Sequence, residues 1–147
     1  MGSLMPRAVL LVALSLGCNG PLPFMSGGAL SGKVATTPAE WSAFPEFAVV
    51  QLETRPEDPY SVNIASTLVD GVLYINAGDT ETEWVKHMEE NPHVRLRNDG
   101  VLYELRSERV TDTDEISRFG VVWTSHGVFH RDPSELEEVW VYRLEAR

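Results

Sequence analysis

Two Asp-Gly pairs, each set between short runs of apolar and β-branched residues, constrain the fold of this chain most. The pairs are Asp70-Gly71, between residues 61–68 and 72–76, and Asp99-Gly100, between residues 94–97 and 101–106. Asp-Gly between two such runs favours the two-residue turn of an antiparallel hairpin, because both residues tolerate a positive φ. The sequence therefore predicts two β-hairpins.

The remaining segments predict further strands and two or three helices. Residues 47–54 form a strand pattern, and the last strand covers 138–146. A short helix is expected over 38–44. A longer one is predicted to begin at a capping box, Thr80 to Glu83, and to end before Asn91-Pro92. Another is predicted over 114–123, capped by Thr111 or Asp112.

The order of these elements predicts the fold class. Strand, hairpin, helix, hairpin, helix and strand follow one another with short turns and without repeated βαβ crossovers. Such neighbours pair antiparallel. We therefore expect a mainly β protein with helices (α+β), built as a small antiparallel barrel with two or three capping helices.

The N-terminus is typical of an export signal. Arg7 is followed by the apolar run 8–16, which is about half of the ~20 residues that a transmembrane helix needs. The residues Leu14-Ser15-Leu16-Gly17-Cys18 resemble a bacterial lipobox, in which the cysteine is lipidated and becomes the first residue of the mature chain. The alternative is an ordinary secretory signal with an incidental cysteine. Asn19 in place of aspartate favours the outer membrane.

These features divide the chain into three parts. Residues 1–17 are the predicted signal peptide, 18–38 are the lipidated Cys18 with a flexible tether, and 39–147 are the folded domain. Glycine, proline and small polar residues without a strand or helix period indicate the tether. The expected location is the cell envelope, with the protein facing the periplasm and attached to the lipid bilayer through acylated Cys18.

The net charge disfavours one class of partner, and the cysteine count excludes one kind of covalent stabilisation. The 22 acidic residues against 12 basic ones give a net charge of −10, which disfavours nucleic acid as a partner. A single cysteine cannot close a disulfide within the chain.

The block from Val62 to Val110 resembles the split β-barrel superfamily of flavin-binding proteins. It contains DGVLYINAG, then the tryptophan-bearing helix EWVKHMEENP, then HVRLRNDGVLYELRSERV. The deazaflavin-dependent nitroreductase and quinone-reductase type proteins have a similar succession of a tryptophan, an asparagine-proline pair, a valine and a hairpin. The pyridoxamine-phosphate-oxidase-like members share the fold. The resemblance covers about fifty residues well.

The resemblance implies a cofactor, a reaction class and a set of site residues. The cofactor would be FMN or a deazaflavin nucleotide, and the reaction an oxidoreduction of a small quinone- or nitro-type acceptor. Whether the chain is an enzyme, and through which catalytic residues, stays open. A homodimer is the implied assembly. The positions that match the family's cofactor-binding positions are Ser66, Thr67, Asn76, Ala77, Gly78 and Lys86.

One segment departs from the family pattern and supports an alternative function. The deazaflavin-dependent members usually have a glycine, arginine, lysine, serine, glycine stretch between the first two strands, whereas this chain has Arg55-Pro56-Glu57-Asp58-Pro59-Tyr60. Two acids stand where a phosphate needs positive charge. The alternative is therefore a non-catalytic envelope lipoprotein that binds another ligand or a protein partner.

Other charged and aromatic residues allow two interpretations each. Six basic residues between 86 and 118 could form an anion site or could pair with Glu104 and Glu108 on a solvated hairpin: Lys86, Arg95, Arg97, Arg106, Arg109 and Arg118. His126 and His130 have the spacing of metal ligands on a helix, but the stretch is typical of a loop, and no metal is expected. The tryptophans Trp41, Trp84, Trp123 and Trp140 are expected mainly in the core, although an indole in a barrel cleft could stack on an isoalloxazine ring.

Overall fold

The computed structural model describes residues 19–127, 132 and 139–147. Within these residues the elements follow one another as β1 (Lys33–Ala35), β2 (Phe47–Thr54), β3 (Tyr60–Val69), β4 (Val72–Ala77), α1 (Glu83–Glu90), β5 (His93–Asn98), β6 (Val101–Arg109), α2 (Thr113–Ser125) and β7 (Trp140–Ala146).

Six of these strands form a closed antiparallel barrel. The strand order is β6-β5-β2-β3-β4-β7, and pairing of β7 with β6 closes the ring. The short β1 adds to the start of β6 in parallel. The predicted fold class is confirmed: the chain is a small α+β split barrel, with two helices in the described residues.

Both Asp-Gly turns have the predicted geometry. Asp70 and Gly71 have φ values of 50° and 77°, and Asp99 and Gly100 have values of 48° and 76°. Two successive positive φ angles are the requirement of the turn whose twist matches an antiparallel hairpin. The turns join β3 to β4 and β5 to β6, in register.

Helix α1 begins later than the predicted capping box implies. Its N-cap is Thr82, and the helix starts at Glu83. The Asp79 side chain accepts a hydrogen bond from the Glu81 amide at 2.9 Å, and Asp79 O accepts one from Thr82 Oγ1 at 3.2 Å. This turn holds residues 79–82 outside the helix, so that the box from Thr80 to Glu83 is not formed. The predicted end before Pro92 is confirmed.

Two apolar clusters lie on opposite sides of the barrel wall. The interior contains fully buried residues such as Leu52, Leu73, Ile75, Leu96 and Leu105, each of which contributes about 1.5–3 kcal/mol by leaving water. The second cluster lies outside the wall, where Tyr74 and Val141 pack against Phe119 of α2. Side chains alternate between the two because successive strand residues face opposite ways.

Residues 19–35 lie against the barrel, in contrast to the predicted tether. Gly27 forms an antiparallel bridge with Ser61, Leu30 is buried, and β1 pairs with β6. The described part of this segment therefore belongs to the fold. Cys18 and the predicted signal lie outside the described residues, so the signal peptide and the lipidation of Cys18 stay predictions.

The short helix predicted over 38–44 is a turn in the structure. The Phe44 amide donates to Trp41 O at 2.7 Å, and the Trp41 side chain is buried in the barrel core. Burial of the indole decides the local backbone here, in place of helix propensity.

Candidate functional site

The candidate site lies at the end of the barrel where the β2–β3 loop meets helix α1. The loop begins at Arg55, which has a positive φ of 55°. Its guanidinium holds Asp58 by an ion pair at 3.0 Å and by a bond from Nε to Asp58 O at 2.7 Å. Asp58, one of the two acids in this loop, therefore binds the arginine at its start and closes the loop on itself.

A buried histidine connects this loop to α1. His87 lies 3.0 Å from Thr54 Oγ1 through Nδ1 and 3.3 Å from Arg55 Nη1 through Nε2, and its ring packs edge-on against Tyr60. The Thr54 hydroxyl donates to Tyr60 O at 3.3 Å. It therefore accepts from Nδ1–H of the imidazole, and Nε2 is left to accept from the guanidinium, which has no acceptor of its own. These contacts favour the tautomer of His87 that carries a proton on Nδ1.

A groove opens beside this cluster. It has a volume of about 420 Å³ and is lined on one side by Tyr60, Val62 and Asn63 of β3 and on the other by Thr82 and Trp84 at the start of α1. The loop from Leu22 to Ser26 completes its rim. We call this cavity the Tyr60–Trp84 groove.

The groove combines three aromatic side chains, Phe24, Tyr60 and Trp84, with a few hydrogen-bonding groups. Asn63 donates one amide N–H to Leu22 O at 3.0 Å, which leaves its second N–H and its carbonyl available. No residue among those that line the groove carries a positive charge. The arrangement therefore fits a planar, aromatic ligand with polar edges, and offers no cation for a phosphate.

The structure separates the predicted residue pair Ser66 and Thr67. Both are buried, but they are neighbours on β3 and face opposite sides of the barrel wall. Ser66 Oγ donates to Ala48 O at 3.3 Å, whereas Thr67 Oγ1 has no hydrogen-bond partner among the described residues.

The other four predicted positions lie at the end of β4, which pairs with β3 beside Ser66 and Thr67, and on α1. Asn76 and Ala77 end β4 and again alternate in direction, and Gly78 is exposed after the strand. Lys86, about half exposed, lies 3.5 Å from Glu83 Oε1 and 4.0 Å from Glu81 Oε2. Carboxylates of its own segment thus neutralise it. Within one chain, the six positions do not converge on one phosphate.

The basic residues of the hairpin form ion pairs and polar contacts, as the second interpretation has it. Arg95 binds Glu53 at 2.7 Å, and Arg106 lies 3.8 Å from Glu108. Arg97 donates to Gln51 Oε1 and to Ser31 O, and Arg109 lies 3.6 Å above the Trp140 ring. Their charges do not meet at a common anion site.

The two histidines with the spacing of metal ligands, His126 and His130, are only partly covered by the described residues. His126 Nε2 lies 2.9 Å from Glu46 Oε1, and His130 lies outside the described residues. Across residues 19–127, 132 and 139–147, histidine, cysteine and carboxylate side chains form no group of three that could hold a metal ion.

Sequence reasoning missed the cluster of Thr54, His87 and Tyr60 and the groove beside it. His87 lies in the last turn of α1, where a histidine is common for another reason, because it can satisfy helix carbonyls. The one signal for the groove was the set of tryptophans, of which Trp84 lines it.

Neither described helix is long and apolar enough to cross a membrane.

Comparison with known proteins bears on the fold. No protein-family model and no curated protein matches the chain. A conserved hypothetical protein from Mycobacterium tuberculosis is similar in structure, with a TM-score of 0.52 and 20% identity over 67% of this chain and 72% of that one. Since the identity is low, the similarity shows the fold alone.

Two further solved structures are similar at lower scores. An FAD-binding protein from Mesorhizobium loti has a TM-score of 0.49 and 17% identity, over 68% of this chain and 80% of that one. A protein from Listeria innocua described as a pyridoxamine 5′-phosphate oxidase has a TM-score of 0.47 and 19% identity, over 65% and 81%.

Proposed function

We propose that this chain binds a flavin or deazaflavin nucleotide, with the ring system of the ligand in the Tyr60–Trp84 groove. The observation that carries the proposal is the groove itself: three aromatic side chains and a free amide edge at the end of a split barrel. The resemblance of Val62 to Val110 to flavin-binding split barrels supports the same ligand class.

The fit of the groove is to the ring and not to the phosphate. Aromatic walls can stack on a planar tricyclic ring, and Asn63 can bond its polar edge. The lining has no basic residue, and Lys86 is already paired with Glu83. Riboflavin, which has no phosphate, should therefore bind within about threefold of FMN, because a phosphate contact would contribute little.

The activity we propose is oxidoreduction of a small quinone- or nitro-type acceptor. The flavin, when bound, would supply the redox chemistry, and the chain would bind it, orient it and limit its contact with water. Of this chain's own residues, Trp84 and Tyr60 would hold the ring plane. The buried His87, bonded to Thr54 and Arg55, would fix the position of Tyr60 relative to α1.

Equilibrium dialysis of the full chain against FMN, a deazaflavin and riboflavin tests this proposal. We expect saturable binding of one ligand per chain. Trp84→Leu should weaken it by about tenfold, since aromatic stacking on a planar base contributes about 1–3 kcal/mol. Trp140→Leu is the matched control, because Trp140 packs against the same core but lies outside the groove.

Replacement of Lys86 distinguishes the proposed ligand position in the groove from the phosphate site that the resemblance implies. If the ligand lies as proposed, Lys86→Ala should leave its affinity within twofold. A loss of affinity for FMN but not for riboflavin in Lys86→Ala would instead support a phosphate at the predicted positions. Absence of binding for all three ligands would favour the non-catalytic envelope protein.

We also propose that the chain is exported and lipid-anchored in the cell envelope through Cys18, facing the periplasm. The lipobox-like residues 14–18 support this. Cys18→Ala should shift the protein from the membrane to the soluble fraction of cells. An unchanged membrane fraction would contradict lipidation.

The homodimer implied by the resemblance is a separate proposal. Analytical ultracentrifugation of the detergent-solubilised protein tests it.

A further inference from the structure

An apolar turn projects from the surface close to the N-terminal end of the described chain. The Met25 amide donates to Leu22 O at 3.1 Å, so residues 22–25 form a β-turn with Pro23 second and Phe24 third. Phe24 has a φ of 67°, at a turn position where glycine is favoured. Its side chain is 106% exposed, and those of Leu22 and Met25 are 55% and 65% exposed.

The turn is firmly held at its base. The Gly28 amide donates to Asn19 O at 2.7 Å, and Gly27 exchanges two backbone hydrogen bonds of 2.8 Å with Ser61. A Cβ on Gly27 would lie 2.4 Å from Gly20 C, so the two limbs of the loop are in direct backbone contact. The fold thus holds Phe24 at the rim of the Tyr60–Trp84 groove, in a backbone conformation that disfavours a large side chain, with its surface open to solvent.

The sequence before the turn places the turn close to Cys18, the proposed site of lipidation. Phe24 is six residues after Cys18. Six residues of fully extended chain span at most about 20 Å. From Ala8 to Gly32 the sequence contains no charged residue, although the chain as a whole carries a net charge of −10. The uncharged stretch continues from the apolar run through the turn.

We propose that the turn of Leu22, Phe24 and Met25 is a second membrane contact, which inserts into the surface of the bilayer that holds the N-terminus. The chemistry is apolar: three exposed large side chains enter the interfacial region without burying a charge. Because the chain is acidic, the contact does not depend on anionic lipid and should form on zwitterionic phosphatidylcholine. The inference rests on the proposed envelope anchorage.

Depth-dependent quenching tests the contact. The full chain is purified in detergent and reconstituted into vesicles of phosphatidylcholine, with or without bromine on the acyl chains. Phe24→Trp adds an indole at the turn. Val121→Trp adds one at a residue that is 70% exposed on α2 and is the matched control. The wild-type signal, from its four tryptophans, is subtracted.

We expect the emission added by Phe24→Trp to fall at least twofold in brominated vesicles, while that added by Val121→Trp changes by less than a tenth. Equal emission in both vesicles would overturn the proposal. If the added indole is unquenched by bromine but shielded from acrylamide in water, a second copy or another ligand covers the turn, which also overturns it. Met25→Trp repeats the test should Phe24→Trp disturb the turn.

Cosedimentation with the vesicles, measured on the same samples, separates the two proposals. Protein that sediments with vesicles without quenching contradicts only the turn contact. Protein that stays in the supernatant contradicts the anchorage and, with it, the turn contact.

Discussion

A buried carboxylate on the outer face of the barrel depends on one cation. Glu53 is 4% exposed and accepts two hydrogen bonds from Arg95, at 2.8 and 2.7 Å, and one from the Leu30 amide at 2.6 Å. The bonds to Glu53 also raise the pKa of Arg95. This pair therefore joins β2, β5 and the N-terminal segment.

Removal of that cation should be costly. Arg95→Met leaves Glu53 buried without its counter-charge, and we expect the free energy of unfolding to fall by about 3 kcal/mol. Arg106→Met, on the same hairpin but in an exposed pair with Glu108, should cost less than about 1 kcal/mol. Urea unfolding of both variants measures the difference. Equal losses would show that Arg95 acts only as a surface residue.

Two equally buried threonines should respond in opposite ways to the same substitution. Thr54 and Thr67 are each 1% exposed, but Thr54 bonds His87 and Tyr60 O, whereas Thr67 Oγ1 has no partner in the part of the chain that the structure describes. Thr54→Val leaves Nδ1–H of His87 unsatisfied and should lower stability by about 1–3 kcal/mol. Thr67→Val should be neutral or stabilising. Thermal unfolding decides, and a larger loss for Thr67→Val would contradict the assigned network.

At the scale of elements, the hairpin turns are the part of the fold that local sequence specifies most completely. Gly100 has a φ of 76°, and a Cβ there would contact nothing within 4 Å. Gly100→Ala therefore changes only the backbone energy and should cost about 1–2 kcal/mol. Asp99→Gly, at the neighbouring positive φ, should cost much less. A neutral Gly100→Ala in urea unfolding would mean that the turn has another geometry.

Elements whose ends depend on side-chain burial were predicted less well. The Asp-Gly hairpins, β2, α2 with its Asp112 cap and the last strand were all visible as local patterns. The start of α1 was not, because the Asp79 turn competes with the capping box. The helix expected over 38–44 is a turn because Trp41 is buried in a core to which β2, β4, β5, β6 and β7 all contribute.

At the scale of the molecule, the N-terminal segment shows what a one-dimensional pattern cannot show. Its glycines and prolines are typical of a tether, yet Gly27, Leu30 and Ser31 bond side chains or backbone of β2, β3 and β5. These partners are distant in sequence and become neighbours only once the barrel closes. The groove is hidden for the same reason, since its walls come from β3, α1 and residues 22–26.

The stability of the whole molecule should fall in alkali through two buried tyrosines. Burial, then the bond to Glu115, raises the pKa of Tyr74, and burial, then the bond to Glu89, raises that of Tyr142. Above pH 10, the ordinary tyrosine value, the folded chain holds more protons than the unfolded one, so stability falls as pH rises. It is unaffected by these groups below that pH.

Replacement of both tyrosines by phenylalanine tests this assignment. The double variant Tyr74→Phe, Tyr142→Phe should show a shallower decline of the unfolding free energy between pH 9 and 11 than the wild type, whatever its stability at pH 7. An identical slope would place the alkaline sensitivity elsewhere.

The central claim is that a flavin ring lies against Trp84 in the Tyr60–Trp84 groove. Flavin emission is quenched by a tryptophan in contact with the ring, so FMN fluorescence titrated with the full chain measures that contact most directly. We predict that the emission falls on binding, that Trp84→Phe largely abolishes the fall, and that Trp140→Phe retains it. Emission that stays constant, or that falls equally in Trp84→Phe, would contradict the account.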